Sequence, residues 1–242
     1  MGPAGTADPG PGVRHLVLYA RVPRAGAVKT RLVPFLSTVE ALGLHRAFIR
    51  DSIAILRDCA AAGVRPVVAF SEPWEPEAGD PLAGALAGLA RLPQVPGDLG
   101  DRLEATLAAL LCARHDRVVV IGSDSPDLPP IFVDRAFTAL DRTALVLGPA
   151  TDGGFHLIGS RSPCAGLLAG VAWGTSRALA DVRDAAARRG VGTEILEPWP
   201  DVDRPADLPG LAARLAAAPG RAPTTAAFLG RLGRAGCLEG GA

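Results

Sequence analysis

The 242-residue chain balances 25 basic against 25 acidic residues and is 48% hydrophobic, the composition of a globular protein with a sizeable core. Zero formal net charge, with no basic block interleaved with aromatics, argues against nucleic acid as the main partner. No apolar run approaches the length of a bilayer crossing, and Met1–Gly12 lacks the charged-then-apolar order of a secretory signal, so no membrane partner is expected and the cytoplasm is the expected compartment.

Residues 1–12, rich in Gly, Pro and Ala, read as a disordered extension. Val13–Ala20 then reads as a buried strand running into a Pro/Gly loop. Ser37 and Glu40 have capping-box spacing, and the helix they open sets Leu42, Ile49, Ile53 and Leu56 at near-helical intervals up to Gly63. Val64–Phe70 is a second strand whose Pro66 argues for an irregular or peripheral start. After a loop with a weak short helix over residues 71–88, Leu89–Pro93 is a short third strand. A helix with Leu103, Leu107, Leu110 and Leu111 on one face follows.

Arg117–Ile121 is a β-branched run without alternation, as a strand covered on both faces requires. A helix runs from the Pro-rich loop after it to about Leu140. Ala144–Gly148 and Phe155–Gly159 suit a hairpin-like return; residues 175–189 are helical, Thr193–Leu196 is a last strand, and a last helix starts at Asp203. Strands alternating with helices predict one α/β domain over residues 13–218 with a mostly parallel sheet covered on both faces, followed by a loosely packed tail over 219–242. The four cysteines, Cys59, Cys112, Cys164 and Cys237, lack paired C-x-x-C spacing, which argues against zinc.

Ligands of such sheets gather at the carboxyl ends of the strands, which places residues 21–31, 94–102, 122–127 and 149–156 along one rim. Lys29 is the only lysine; the other 24 basic residues are arginine. It sits in a loop with Arg24, Gly26 and Arg31, where glycine lets backbone amides turn to a ligand and three cations can neutralise a di- or triphosphate. The loop is neither a Walker A nor a G-x-G-x-x-G motif, and a merely solvated basic loop is the plain alternative. Asp124, at the end of the central strand, suits Mg²⁺ or Mn²⁺ together with substrate phosphate oxygens, whereas Asp127 is either a second ligand or a helix cap. Asp152 in Thr151-Asp-Gly-Gly154 could bind a hydroxyl or a metal, or simply form a turn; His156 is as readily structural as catalytic.

The basic loop ending Lys-Thr-Arg-Leu32, Gly97-Asp-Leu-Gly-Asp-Arg102, Ile121-Gly-Ser-Asp-Ser-Pro-Asp-Leu-Pro129 and Leu147-Gly-Pro-Ala-Thr-Asp-Gly-Gly-Phe-His-Leu-Ile-Gly159 together resemble the DUF2064 family over roughly residues 15–210. More distantly the chain is similar to 2-phospholactate and molybdenum cofactor guanylyltransferases. The resemblance implies a GT-A-like, nucleotide-diphospho-sugar transferase fold: three α/β/α layers around a mostly parallel sheet. It implies that Arg24, Lys29 and Arg31 contact phosphate, that Gln94, Gly97 and Gly100 lie against base or ribose, and that Ser123 joins the nucleotide contacts. Asp124 would hold the cation, with Asp203 either a second ligand or a cap. Thr151, Asp152, Gly153, Gly154, Trp173, Thr175 and Ser176 occupy acceptor positions, Trp173 as a sugar platform or a core aromatic. One departure is Ala20-Arg21, where many nucleotidyltransferases open the loop with Gly-Gly.

The implied partners are a nucleotide sugar or a nucleoside triphosphate and a small-molecule acceptor, with Mg²⁺ or Mn²⁺ as cofactor. Sugar transfer releases a nucleoside diphosphate; the alternative, nucleotidyl transfer, releases pyrophosphate. A non-catalytic nucleotide-binding module ranks below both. Lys29, Arg31 and Asp124 are the catalytic candidates, and the position of Lys29 and Asp124 in rim loops predicts that replacing either leaves the fold intact.

Overall fold

The run of apolar residues after Val13 forms β1 (Arg14–Ala20), a central strand parallel to its neighbour on either side. In this computed structural model, which describes residues 12–33 and 35–234, the chain continues through α1 (Thr38–Ala61), β2 (Arg65–Phe70), α2 (Ala83–Leu86), β3 (Ala90–Arg91) and α3 (Leu99–Leu110). Then come β4 (Arg117–Gly122), α4 (Pro130–Ala139), β5 (Leu145–Pro149), β6 (Phe155–Ser160), α5 (Ala178–Arg188), β7 (Thr193–Ile195), α6 (Leu208–Ala217) and α7 (Pro223–Arg234). The seven strands take the order β3-β2-β1-β4-β6-β5-β7, with β6 antiparallel to both its neighbours and every other pairing parallel. This is the expected GT-A-like α/β/α sandwich.

Each face of the sheet has its own core. Leu16, Leu18 and Val68 pack with α1, α2 and α4 on one side, and Val17, Val67 and Val120 with α3 and α5 on the other. The β-branched run of β4 is buried through both faces, which is why it shows no alternation. Pro66 is tolerated in β2 because β3 pairs only with Val67 and Val68, so no partner needs the missing N–H on that side. The capping box of Ser37 and Glu40 forms as its spacing predicts, and Asp98 with Asp101 makes a second one at the start of α3.

Some boundaries differ from expectation. The strand expected over 89–93 shrinks to Ala90–Arg91, the helix expected from 175 begins at Ala178, and that expected from Asp203 begins at Leu208 after a single 3₁₀ turn. The larger difference is at the carboxyl end. Residues from 219 onward are not a loosely packed tail over the described part: Pro223–Arg234 forms α7, and the domain runs past 218. Its small residues allow close packing on α1, where the Phe228 ring fills the space a side chain at Gly43 would need. Leu229 and Leu232 are buried in a third cluster with Leu44, Phe48, Leu211 and Leu215. Residues 1–11 of the expected extension and 235–242 of the expected tail lie outside the described residues.

The join between α1 and α7 depends on one buried carboxylate. Asp51, 3% exposed, accepts hydrogen bonds from the amides of Thr224 (3.1 Å) and Thr225 (2.7 Å), satisfying two orphan donors at the start of α7. Asp51→Ala should therefore lower unfolding free energy by about 1–3 kcal/mol and make the α7 segment cleavable first in limited proteolysis. A denaturation midpoint unchanged from the parent protein would show that α7 is held otherwise.

Candidate functional site

The carboxyl ends of β1, β2, β4 and β5 and the amino end of β6 share one edge of the sheet, so the loops that follow or precede them meet on one rim. The strap after β7, residues 196–203, is laid onto the same rim by hydrogen bonds. The Trp199 amide donates to the Pro149 carbonyl (2.9 Å), the Val202 amide to the Asp124 carbonyl (2.9 Å), and the Ser125 hydroxyl to the Pro200 carbonyl (3.2 Å).

Lys29 lies at the centre. Its side chain is 4% exposed, and its ammonium donates to Asp124 Oδ1 (2.6 Å), Asp203 Oδ1 (3.1 Å) and the Val202 carbonyl (2.6 Å). An ammonium has three donors, and all three are used. Nζ also stands 5.1 Å from the centre of the Phe48 ring, a favourable site for a cation. Burial works against the charged form, yet the attraction of Asp124 and Asp203 outweighs it and holds the lysine pKa above its ordinary value. Asp124 shows the converse: burial raises its pKa, the Lys29 ammonium lowers it more, and the carboxylate stays ionised. The Lys29 backbone is left-handed (φ 48°), a conformation that costs a non-glycine residue about 1–3 kcal/mol and persists only where surrounding contacts enforce it.

This corrects the expected roles. Lys29 has no donor left for phosphate; it is a buried counter-ion beneath two carboxylates whose side chains remain 45% (Asp124) and 33% (Asp203) exposed. Nor does Asp203 cap the last helix: Asp207 Oδ2 instead accepts from the amides of Asp203 (2.9 Å) and Arg204 (2.7 Å). Of the remaining cations, Arg31 approaches Asp203 Oδ2 at 3.5 Å, and Arg24 pairs with Glu72 at 2.8 Å; both are more than half exposed. Gly26 adopts φ 77° at the turn between them, a region open to glycine.

Sequence reasoning missed Asp201, Arg21 and His45. Burial, then Asp152, Asp203 and Asp124 around it, push the Asp201 pKa up to about 6, so four carboxylates press on one stretch of rim. The first aspartate in Asp-Val-Asp203 was the available signal. His45 is buried and its Nε2 lies 3.0 Å from the Arg21 carbonyl, which fixes the start of the basic loop; burial lowers its pKa. Only a histidine on the apolar face of α1 hinted at this.

The other candidates divide. The 151–154 turn and the 173–176 segment do come together: a Cβ on Gly153 would lie 2.3 Å from the Ser176 carbonyl oxygen. Thr151, Asp152, Thr175 and Ser176 are exposed there, Asp152 Oδ1 accepts from the Gly154 amide (2.8 Å), and the Thr175 hydroxyl donates to the Ala172 carbonyl (2.7 Å). Trp173 packs as a core aromatic, edge-on to Phe155 at 5.9 Å. Gly100 does not face a ligand, because a Cβ there would meet the Leu168 carbonyl and the Trp173 ring; Gly97 (φ 125°) serves the capping box. Gln94 is buried, its side-chain amide donating to the Ala69 carbonyl (2.7 Å), and Ser123, which precedes Asp124 in the chain, is buried too. Asp127 is neither ligand nor cap: fully buried, it receives Arg214 Nε at 2.6 Å and so anchors α6.

A protein-family model described as "Uncharacterized protein conserved in bacteria (DUF2064)" matches residues 55–175. The chain belongs to the DUF2064 family. A solved structure from Desulfovibrio desulfuricans, proposed to be a nucleotide-diphospho-sugar transferase, is similar over 94% of this chain and 97% of its own, at 27% identity and a TM-score of 0.82. A cytidylyltransferase from Leptospira borgpetersenii shares the fold over 95% of this chain and 98% of its own, at 11% identity and a TM-score of 0.52. Among curated proteins none matches.

Asp124 and Asp203 are the residues that could hold a hard divalent cation. Asp124 and Asp203 share one ammonium through their Oδ1 atoms and keep exposed surface, and no group of three or more His, Cys, Asp or Glu gathers as a complete metal cage among the described residues. Such a site suits an ion that completes its shell with phosphate oxygens and water. His156, by contrast, is part of the core, edge-on to Phe132 at 5.5 Å and lying where a Cβ on Gly148 would be.

Two outcomes follow from these geometries. Lys29→Met leaves two carboxylates facing each other over an apolar floor, so it should destabilise the fold by about 2–4 kcal/mol, measurable by urea denaturation, rather than leave it intact. Burial lowers the His156 pKa from 6.5 to about 4, so between those values the unfolded chain binds a proton that the folded chain refuses. Stability should fall as pH drops through that window, by on the order of 3 kcal/mol in full, and His156→Leu should flatten this part of the profile.

Proposed function

We propose that this protein is a divalent-metal-dependent transferase that uses a nucleoside-diphosphate-activated sugar as donor. The observation that carries this reading is the half-exposed pair Asp124 and Asp203, poised over a buried ammonium at the strand-end rim. The similarity to the Desulfovibrio protein along nearly all of both chains supports it. Asp124 and Asp203 would hold Mg²⁺ or Mn²⁺, which when bound would supply positive charge against the oxygens of the departing nucleoside diphosphate.

Lys29 keeps the Asp124 carboxylate ionised and bonds to both Asp124 and Asp203. Arg31 and Arg24 are exposed and held only by single ion pairs, so they can turn to phosphate as it arrives. Across the rim, Thr151, Asp152, Thr175 and Ser176 offer exposed hydroxyl and carboxylate groups suited to a polar acceptor. Nucleotidyl transfer with release of pyrophosphate is the second reading, favoured by the fold shared with the Leptospira cytidylyltransferase; against it stands a Lys29 ammonium already bonded to three protein oxygens. A bare nucleotide-binding module would have no use for an exposed carboxylate pair beside the phosphate cations.

A thermal-shift screen of UDP-, GDP- and dTDP-sugars against the parent triphosphates, with and without Mg²⁺ or Mn²⁺, tests this. One nucleotide sugar should raise the melting temperature most, only with metal, and Asp124→Asn should remove the metal-dependent increment. A larger shift from a triphosphate, with pyrophosphate released on adding acceptor, would overturn the reading in favour of nucleotidyl transfer. Binding indifferent to metal and to Asp124 would leave only a binding module.

A further inference from the structure

The positions that the family resemblance assigns to the nucleobase are closed by the protein itself. The buried Gln94 side chain donates to the Ala69 carbonyl, a side chain's space at Gly97 is filled by Asp101, and Gly100 lies under Leu168 and Trp173. At the β2–β3 edge is a cavity of about 380 Å³ that has no role so far. Val68, Phe70, Trp74, Arg91 and Pro93 line it, with Glu72 among its polar groups. Phe70 and Trp74 meet edge-to-face, their ring centres 4.8 Å apart.

From this arrangement we infer that the cavity takes the nucleobase of the donor, an inference that rests on the transferase reading above. Three features of the site point that way. Its volume falls in the range of small-ligand pockets, and its aromatic and proline walls suit a flat heterocycle, which stacks on any aromatic face whatever the base. Glu72, Glu75 and Arg91 line it too, Arg91 paired with Glu75, and these groups carry the acceptors and donors that a base's edge would meet. The third feature is placement. Glu72 pairs with Arg24, so the cavity adjoins a cation of the basic loop. β2 stands two strand spacings from β4, about 10 Å, a gap that a ribose and a diphosphate can bridge from the base to a cation at Asp124. Another cavity, about 480 Å³ between α4 and β7, has no aromatic wall.

The test is calorimetric titration of the full chain, with Mg²⁺ or Mn²⁺ present, with UDP, GDP, dTDP and inorganic pyrophosphate. At least one nucleoside diphosphate should bind about tenfold or more tightly than pyrophosphate. Trp74→Leu should erase that margin while leaving pyrophosphate affinity unchanged, and Trp74→Phe should keep most of it. A margin that survives Trp74→Leu overturns the assignment, as does parent protein that binds pyrophosphate and nucleoside diphosphates equally. Parent protein that binds none of the four sinks the transferase reading and this one with it. Should Trp74→Leu fail to fold, Val68→Phe fills the same cavity from its floor; loss of the margin supports the assignment and its persistence overturns it.

Discussion

The rim of this protein is organised by one ammonium that cannot be left alone. A buried lysine costs several kcal/mol in lost hydration unless every donor finds an acceptor. Here the acceptors come from positions 124, 202 and 203, far from Lys29 in sequence. The basic loop, the end of β4 and the strap after β7 are therefore coupled: none can leave its place without stranding charge. A planar guanidinium fork would not meet three convergent oxygens in the space of an ammonium, which gives a physical reason for a lone lysine in a chain otherwise using arginine.

A second buried ion pair steadies the same strap from below. Asp127, two residues into the loop beyond Ser125, is fully buried and receives Arg214 from α6, whose guanidinium also lies 5.7 Å from the Trp199 ring. Trp199 in turn packs edge-on to Phe132 and hydrogen-bonds through its amide to Pro149. The carboxylates at 201 and 203 are thus held at the rim from both sides. Burial there, and then the charges of Asp152, Asp203 and Asp124, raise the Asp201 pKa.

Along the rim the chemistry changes in a definite order. An aromatic cavity lies at the β2–β3 edge, exposed arginines flank the loop after β1, paired carboxylates stand after β4, and exposed hydroxyls cluster beyond β5 and β6. That order matches a ligand made of a flat ring, a polyanion and a polar partner, which links the proposed reaction to the proposed base site through the sheet order alone.

Much of this was readable from local pattern. Ser37 with Glu40, the β-branched run of β4 and the return between β5 and β6 each follow from nearest-neighbour chemistry, and the oddity of Lys29 and the strand-end position of Asp124 marked the site. Where local pattern misled, the cause was most often a distant partner. Gly100 and Trp173 meet each other rather than a ligand, and Asp127 meets Arg214. The Gly- and Ala-rich segment after 219 becomes a helix because Gly43 and Asp51 on α1 receive it. By itself the sequence determined the sheet-and-helix alternation, the rim and the residues that carry charge there, since these depend on periodicity and on strand ends. Only the tertiary structure decided that the lysine faces inward as a counter-ion rather than outward as a phosphate grip, because burial and hydrogen-bond saturation are properties of groups brought together across the whole chain.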